Sequence, residues 1–174
     1  EAIIMGTIVK DTILAYTKAR QIGWNDVIII GQVASYHPVI ASQPNGVTDG
    51  FLTFAQFPSP DKETCDKNVC DWIDRYESIY GLTPNIGSAY GYMYADITAK
   101  AIEIAGNDLN TDSFIDALES IKDYQIIFGD GMLSFGPEKH LGSNDAYLFE
   151  VKNGKFVQIS DQDISASEQE LLIQ

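Results

Sequence analysis

The chain has 174 residues, 45% of them apolar and 21% charged, which is the balance of a folded globular protein with a sizeable core. Twenty-five acidic side chains against eleven basic ones give a formal net charge of −14, which repels nucleic acid and anionic lipid and argues against a phosphate-reading role. No apolar run approaches the roughly 20 residues that span a bilayer, and Glu1 to Gly6 carry neither the basic region nor the cleavage site of a secretory leader.

Ala2 to Met5, closed by Gly6 and Thr7, read as a buried strand, and a chain that opens inside a sheet is expected to be a fragment of a longer one. A helix follows from Asp11 to Ile22, capped by Asp11 or Thr12 and stopped by Gly23, with Leu14, Ala15, Ala19 and Ile22 as its inner stripe. Asp26 to Ile30 form a second strand. Strand, helix and strand at this spacing predict a βαβ unit with parallel strands buried on both faces. Gly31 and Gln32 then stand at a strand's carboxyl end. His37 to Ala41 suit a short helix, Pro44-Asn45-Gly46 a turn, and Gly50 to Phe54 a third strand.

Phe57-Pro58-Ser59-Pro60 hold the backbone extended and read as a crossing between lobes. Val69, Trp72, Ile73, Tyr76, Ile79 and Tyr80 recur at helical spacing up to Gly81, the strongest amphipathic signal in the chain. Further helices are expected over Ser88 to Ala105 and Thr111 to Lys122. Met132 to Phe135 alternate as a half-buried strand closed by Gly136 and Pro137, and Gly129-Asp130-Gly131 is a turn between strands, not a phosphate cradle. Tyr147 to Val151 and Lys155 to Ile159 flank Asn153-Gly154, which supplies the positive φ of a tight hairpin. Residues 161–174 read as a tail or a final short helix.

The succession of a Gly-bounded strand ending Ser134-Phe135, a Pro137 and His140 loop, and the hairpin from Tyr147 through Gly154-Lys155-Phe156 resembles one family. It is similar to the carboxy-terminal half of the type I periplasmic solute-binding proteins, which serve ABC transporters of branched-chain amino acids, amides and aromatic acids. Gly91-Tyr92, Ala99, Ala101-Ile102-Glu103 and Ala105-Gly106 resemble a first-lobe helix of that family, with Met93 and Tyr94 replacing its Asp-Ala pair. The resemblance implies an α/β fold made of parts of two Rossmann-like (flavodoxin-like) lobes, incomplete without the amino-terminal half. It assigns 1–57 to the second lobe, 58–60 to a crossing, 61–135 to first-lobe helices and a strand, 136–160 to a return crossing and the second-lobe hairpin, and 161–174 to a tail. It also implies a non-enzymatic protein outside the cytoplasm, periplasmic or extracellular, and is compatible with a lipid anchor on the missing amino-terminal side. Its implied partners are a small-molecule solute, a membrane permease and its own amino-terminal half. A ligand-sensing ectodomain of a signalling receptor with the same fold is the alternative, and only flanking sequence separates the two.

Ligands of open α/β sheets bind beyond the strands' carboxyl ends. That rule selects Thr7 and Ile8 in the first connection, and Gln32, Ser35 and Tyr36 in the second. In the resembled family these loops face a cleft between two lobes, whereas ordinary connections of this kind touch nothing. No acidic residue stands in either loop, and a buried ammonium without a counter-charge costs several kcal/mol. A carboxylate or amide is therefore expected in preference to an ordinary α-amino acid.

The two cysteines, Cys65 and Cys70, suit one disulfide, with a buried pair of free thiols as the alternative. His37 is either a solvated loop residue or a ligand contact, His140 belongs to a surface turn, and Asp61, Asp66, Asp71 and Asp74 lie on outer faces. Neither a nucleophile elbow, a P-loop, an HExxH pair nor a dinucleotide fingerprint occurs, so no catalytic residue, cofactor or metal is expected. Their absence makes an enzyme of the flavodoxin-like kind the least favoured reading. As a fragment with exposed strand edges, the chain is expected to dimerise or exchange strands near Ala2 to Met5.

Overall fold

The computed structural model describes residues 1–160, so the tail expected over 161–174 lies outside the described residues. In chain order the elements are β1 (Ala2–Met5), α1 (Val9–Gln21), β2 (Ile28–Gly31), α2 (Pro38–Ala41), β3 (Leu52–Ala55), α3 (Lys67–Tyr80), α4 (Ile86–Ala105), α5 (Thr111–Ser120), β4 (Tyr124–Gln125), β5 (Met132–Leu133), β6 (Tyr147–Lys152) and β7 (Lys155–Gln158). Single 3-10 turns occupy Val33–Ser35, Pro44–Gly46 and Gly106–Asp108. The described residues divide into two compact units, one of Glu1–Gln56 with 145–160, the other of Phe57–Asn144.

The first unit is a mixed sheet in the order β1-β2-β3-β6-β7. β1, β2 and β3 run parallel, with Met5 opposite Gly31 and Gly31 opposite Thr53, and β6 and β7 are added antiparallel. At the β6–β7 turn Asn153 (φ 52°) and Gly154 (φ 82°) both adopt the left-handed conformation that matches strand twist. One face of the sheet is the core: Met5, Val27, Ile29, Phe51 and Val151 cluster with Tyr16 and Ala19 of α1 and Ile40 and Ala41 of α2. Each large apolar side chain so buried contributes about 1.5–3 kcal/mol.

Several expectations for this unit need correction. α1 begins at Val9, after Ile8, whose side chain makes no capping bond, so neither Asp11 nor Thr12 caps the helix. Asp11 sits in its first turn, where a negative charge suits the helix dipole. The buried face is Thr12, Tyr16 and Ala19, while the expected inner residues Leu14 and Ile22 are 58% and 64% exposed. Thr12 and Tyr16 go inward because their hydroxyls find partners there, a circumstance hydrophobic periodicity cannot register. The parallel strands are not buried on both faces either: Ile4 on the edge strand β1 and Ile28 on β2, facing away from the core side, are 85% and 50% exposed. β2 starts at Ile28 instead of Asp26, and β3 at Leu52 instead of Gly50. The preceding residues complete a turn, in which Gly50 has φ 87° and Phe51 N–H donates to Thr48 O at 3.0 Å.

In the second unit, Asp66 caps α3 by accepting from Val69 N–H at 2.9 Å, and Gly81 ends it at φ 64°. Asn85 and Asn110 form capping boxes with Ser88 and Ser113 at the starts of α4 and α5. α4 therefore opens at Ile86, earlier than expected, and α5 stops at Ser120 because Ile121 is extended. The strand expected over Met132 to Phe135 is only Met132–Leu133, paired antiparallel with β4, which apolar patterning did not reveal. Phe57 is fully buried, stacked on Phe128 at 5.4 Å and tilted against Tyr90 at 4.8 Å. Cys65 and Cys70 are bonded to each other with 5.5 Å between their Cα atoms, tying the turn before α3 to its first turn.

Candidate functional site

Two connections leave the carboxyl ends of adjacent parallel strands in the first unit. The one after β1 carries Thr7, half-buried, and Ile8, which is 62% exposed. The one after β2 runs from Gly31 through Gln32 into the 3-10 turn that holds Ser35. Gly31 has no substitute, since a Cβ there would lie 2.6 Å from Phe51 Cζ and 2.9 Å from Ser35 Cβ.

Hydroxyl groups join the two connections. Thr7 Oγ1 lies 2.8 Å from Thr12 Oγ1, Thr12 Oγ1 lies 3.0 Å from Ser35 Oγ, and Ser35 Oγ donates to the main-chain carbonyl of Thr7 at 2.8 Å. Thr12 and Ser35 are wholly buried. Gln32 uses its carbonyl oxygen to accept from Ala34 N–H at 3.0 Å and its Nε2 to reach Thr7 O at 3.4 Å, while its own main-chain carbonyl accepts from Thr53 Oγ1 at 3.0 Å. The amide is thereby oriented without ambiguity.

Of the residues singled out in the sequence, Thr7, Gln32 and Ser35 come together in one network, Ile8 stands beside it, and Tyr36 takes another place. Tyr36 is 2% exposed, its ring set 4.5 Å from Phe149 and 4.6 Å from Phe156, among the sheet's side chains. His37 caps α2, its Nδ1 accepting from Val39 N–H at 3.2 Å. His140 lies against Glu119 at 2.9 Å on the surface of the second unit. Thr12 is the member of the network that sequence patterning passed over, because a threonine at a helix start reads as a cap.

Among the described residues no group of His, Cys, Asp or Glu side chains is placed to hold a metal ion, and no helix is long and apolar enough to cross a membrane. The second unit carries a separate open groove of about 390 Å³ between α3 and α4, lined by Trp72, Tyr76, Tyr80, Tyr92 and Arg75. Tyr76 Oη there is bonded by Ser88 Oγ at 3.2 Å.

The family model for the periplasmic binding proteins matches residues 1–155. The chain belongs to the periplasmic binding protein family. Solved structures of periplasmic binding proteins share its fold, which is that of type I. A branched-chain amino acid ABC transporter protein from Thermus thermophilus with bound valine superposes with a TM-score of 0.80 at 16% identity over 96% of this chain and 46% of its own. A leucine-binding protein from Thermotoga maritima gives 0.71 at 18% over 91% and 43%, and an extracellular ligand-binding receptor from Rhodopseudomonas palustris 0.72 at 21% over 91% and 48%. The chain thus spans slightly less than half the length of these structures. No protein of curated function matches it in sequence.

Proposed function

We propose that this chain is part of the extracytoplasmic solute-binding component of an ABC transporter, holding a small carboxylate, amide or amino-acid-like solute and delivering it to a membrane permease. The observation that carries the reading is the family match over residues 1–155. The pairing of the connections after β1 and β2 supports it, because Thr7 and Gln32 converge where solutes of open α/β sheets bind. Binding without turnover is the work of such a protein: affinity comes from polar groups that are desolvated around the solute and fully paired with it. Thr7, Ile8 and Gln32 are the side chains that touch the solute, while Ser35 and Tyr36 hold their loop in place from inside.

A thermal-shift panel on the full-length protein tests this. Small amides, carboxylates and amino acids are screened, and a saturable stabilisation by one class is expected, as a ligand bound only to the folded state must produce. A protein that no small solute stabilises, or one that consumes its ligand, sinks the reading.

A further inference from the structure

We infer that Thr7 meets the bound solute as a hydrogen-bond acceptor, so that the solute group seated on its hydroxyl is an uncharged N–H or O–H donor and not a carboxylate. The inference rests on the reading of these loops as solute-contacting and adds to it the polarity of one contact.

The argument is an accounting of protons. A main-chain carbonyl has none to give, so the bond between Ser35 Oγ and Thr7 O uses the single proton of Ser35. Ser35 Oγ can then only accept from Thr12, which commits the proton of Thr12. Thr12 Oγ1 in turn can only accept from Thr7, which commits the proton of Thr7. The chain starts at the hydroxyl of Thr7 and returns to its carbonyl, a closed ring with one direction. Reversing any link would require a second proton on a hydroxyl or set two protons against each other. Because Thr12 and Ser35 are wholly buried, water offers neither of them an alternative partner.

Of the three residues in the ring only Thr7 is partly exposed, Thr12 and Ser35 being wholly buried, so Thr7 is the one a solute can reach, and with its proton committed its hydroxyl has only lone pairs to offer. A carboxylate oxygen set against them meets repulsion with no proton between. An ammonium group would bring a proton but finds no acidic side chain in either loop to balance its charge. Gln32 completes the pattern: one N–H of its amide points to Thr7 O, and the other is left to donate. An acceptor beside a donor is the complement of a primary amide.

Neutron diffraction on crystals of the full-length, deuterated protein reads the ring directly. The deuteron of Thr7 is expected between its oxygen and that of Thr12, and the deuteron of Ser35 on the carbonyl of Thr7. A Thr7 deuteron turned away from Thr12 overturns the inference even if the loops do bind solute.

Calorimetric titration of the same protein with isovaleramide and isovalerate reads the consequence. The amide should bind at least roughly tenfold more tightly, and Ser35→Ala should shrink that ratio towards one by freeing the Thr7 hydroxyl to turn outward. A purely structural role for Ser35 would weaken both ligands together and leave the ratio unchanged. Equal binding, or preference for the carboxylate, in the unsubstituted protein overturns the inference. Binding of neither overturns the loop assignment beneath it, and the deuteron positions tell these two failures apart.

Discussion

The phenol of Tyr16, wholly buried on α1, donates to the main-chain carbonyl of Asp49 at 2.6 Å and so ties the helix to the turn that launches β3. The same oxygen accepts from Arg20 Nη2 at 2.9 Å, the guanidinium carbon stands 4.6 Å from the ring centre, and Phe51 meets the ring edge-on at 5.8 Å. β3 is the strand that joins the parallel and antiparallel halves of the sheet, and this contact anchors the turn at its start.

Tyr16→Phe should destabilise the chain by about 1–2 kcal/mol, because Asp49 O loses its donor and Arg20 its acceptor in a buried setting. Gly50→Ala should cost a similar amount for a different reason: φ is 87° there, a backbone conformation that a residue with a Cβ adopts only under strain. Urea midpoints check both, and an unchanged midpoint for either variant contradicts the account of this turn.

The Cys65–Cys70 bond closes a loop of only a few residues, so reducing it should lower stability modestly, by about 2 kcal/mol. Alkylation without reductant followed by mass spectrometry should label no thiol. Two labelled cysteines would refute the bond and remove one support for an extracytoplasmic setting.

Tyr124 donates its phenolic proton to Asp96 Oδ2 at 2.7 Å, and this bond to a carboxylate, with partial burial, pushes its pKa up to about 12. A raised folded-state pKa favours the protonated form, so the stability it provides is complete below about pH 10, the unperturbed value, and is lost as pH climbs towards 12. Tyr124→Phe should therefore melt below the parent at neutral pH, with the gap narrowing in alkaline buffer. A gap that is constant or widens above pH 10 rules this out.

Association should rise with concentration for the 174-residue chain, because β1 is an edge strand with one side of its main chain open to pairing and its own Ile4 is 85% exposed. Light scattering should show dimers at high micromolar concentration, and Ile4→Lys should suppress them. A clean monomer at that concentration speaks against strand-edge pairing.

What could be read from the sequence was what local chemistry enforces. Asn153-Gly154 dictated its turn, and the aromatic stripe from Val69 to Tyr80 dictated α3, whose ends Asp66 and Gly81 then fixed. What could not be read depended on partners far along the chain. Thr12 and Tyr16 look outward-facing until Ser35 and Asp49 are placed beside them, and β4 has no pattern of its own until Met132 and Leu133 lie alongside. The loops proposed as the candidate site were chosen from strand polarity together with the family resemblance. Which residues within them point outward could not be read that way, and Tyr36 shows why: its surroundings, Phe149 and Phe156, arrive from more than a hundred residues later.

The most direct test is calorimetric titration of the full-length protein and its Gln32→Ala variant with small amides, benzoate, leucine, isoleucine and valine. The account predicts saturable one-to-one binding that favours the amide over the three amino acids, weakened at least roughly tenfold by Gln32→Ala, with only a modest fall in the unliganded melting temperature from loss of the bond to Ala34 N–H. Tight binding of leucine, isoleucine or valine with no response to amides or benzoate, or affinity indifferent to Gln32→Ala, would contradict it.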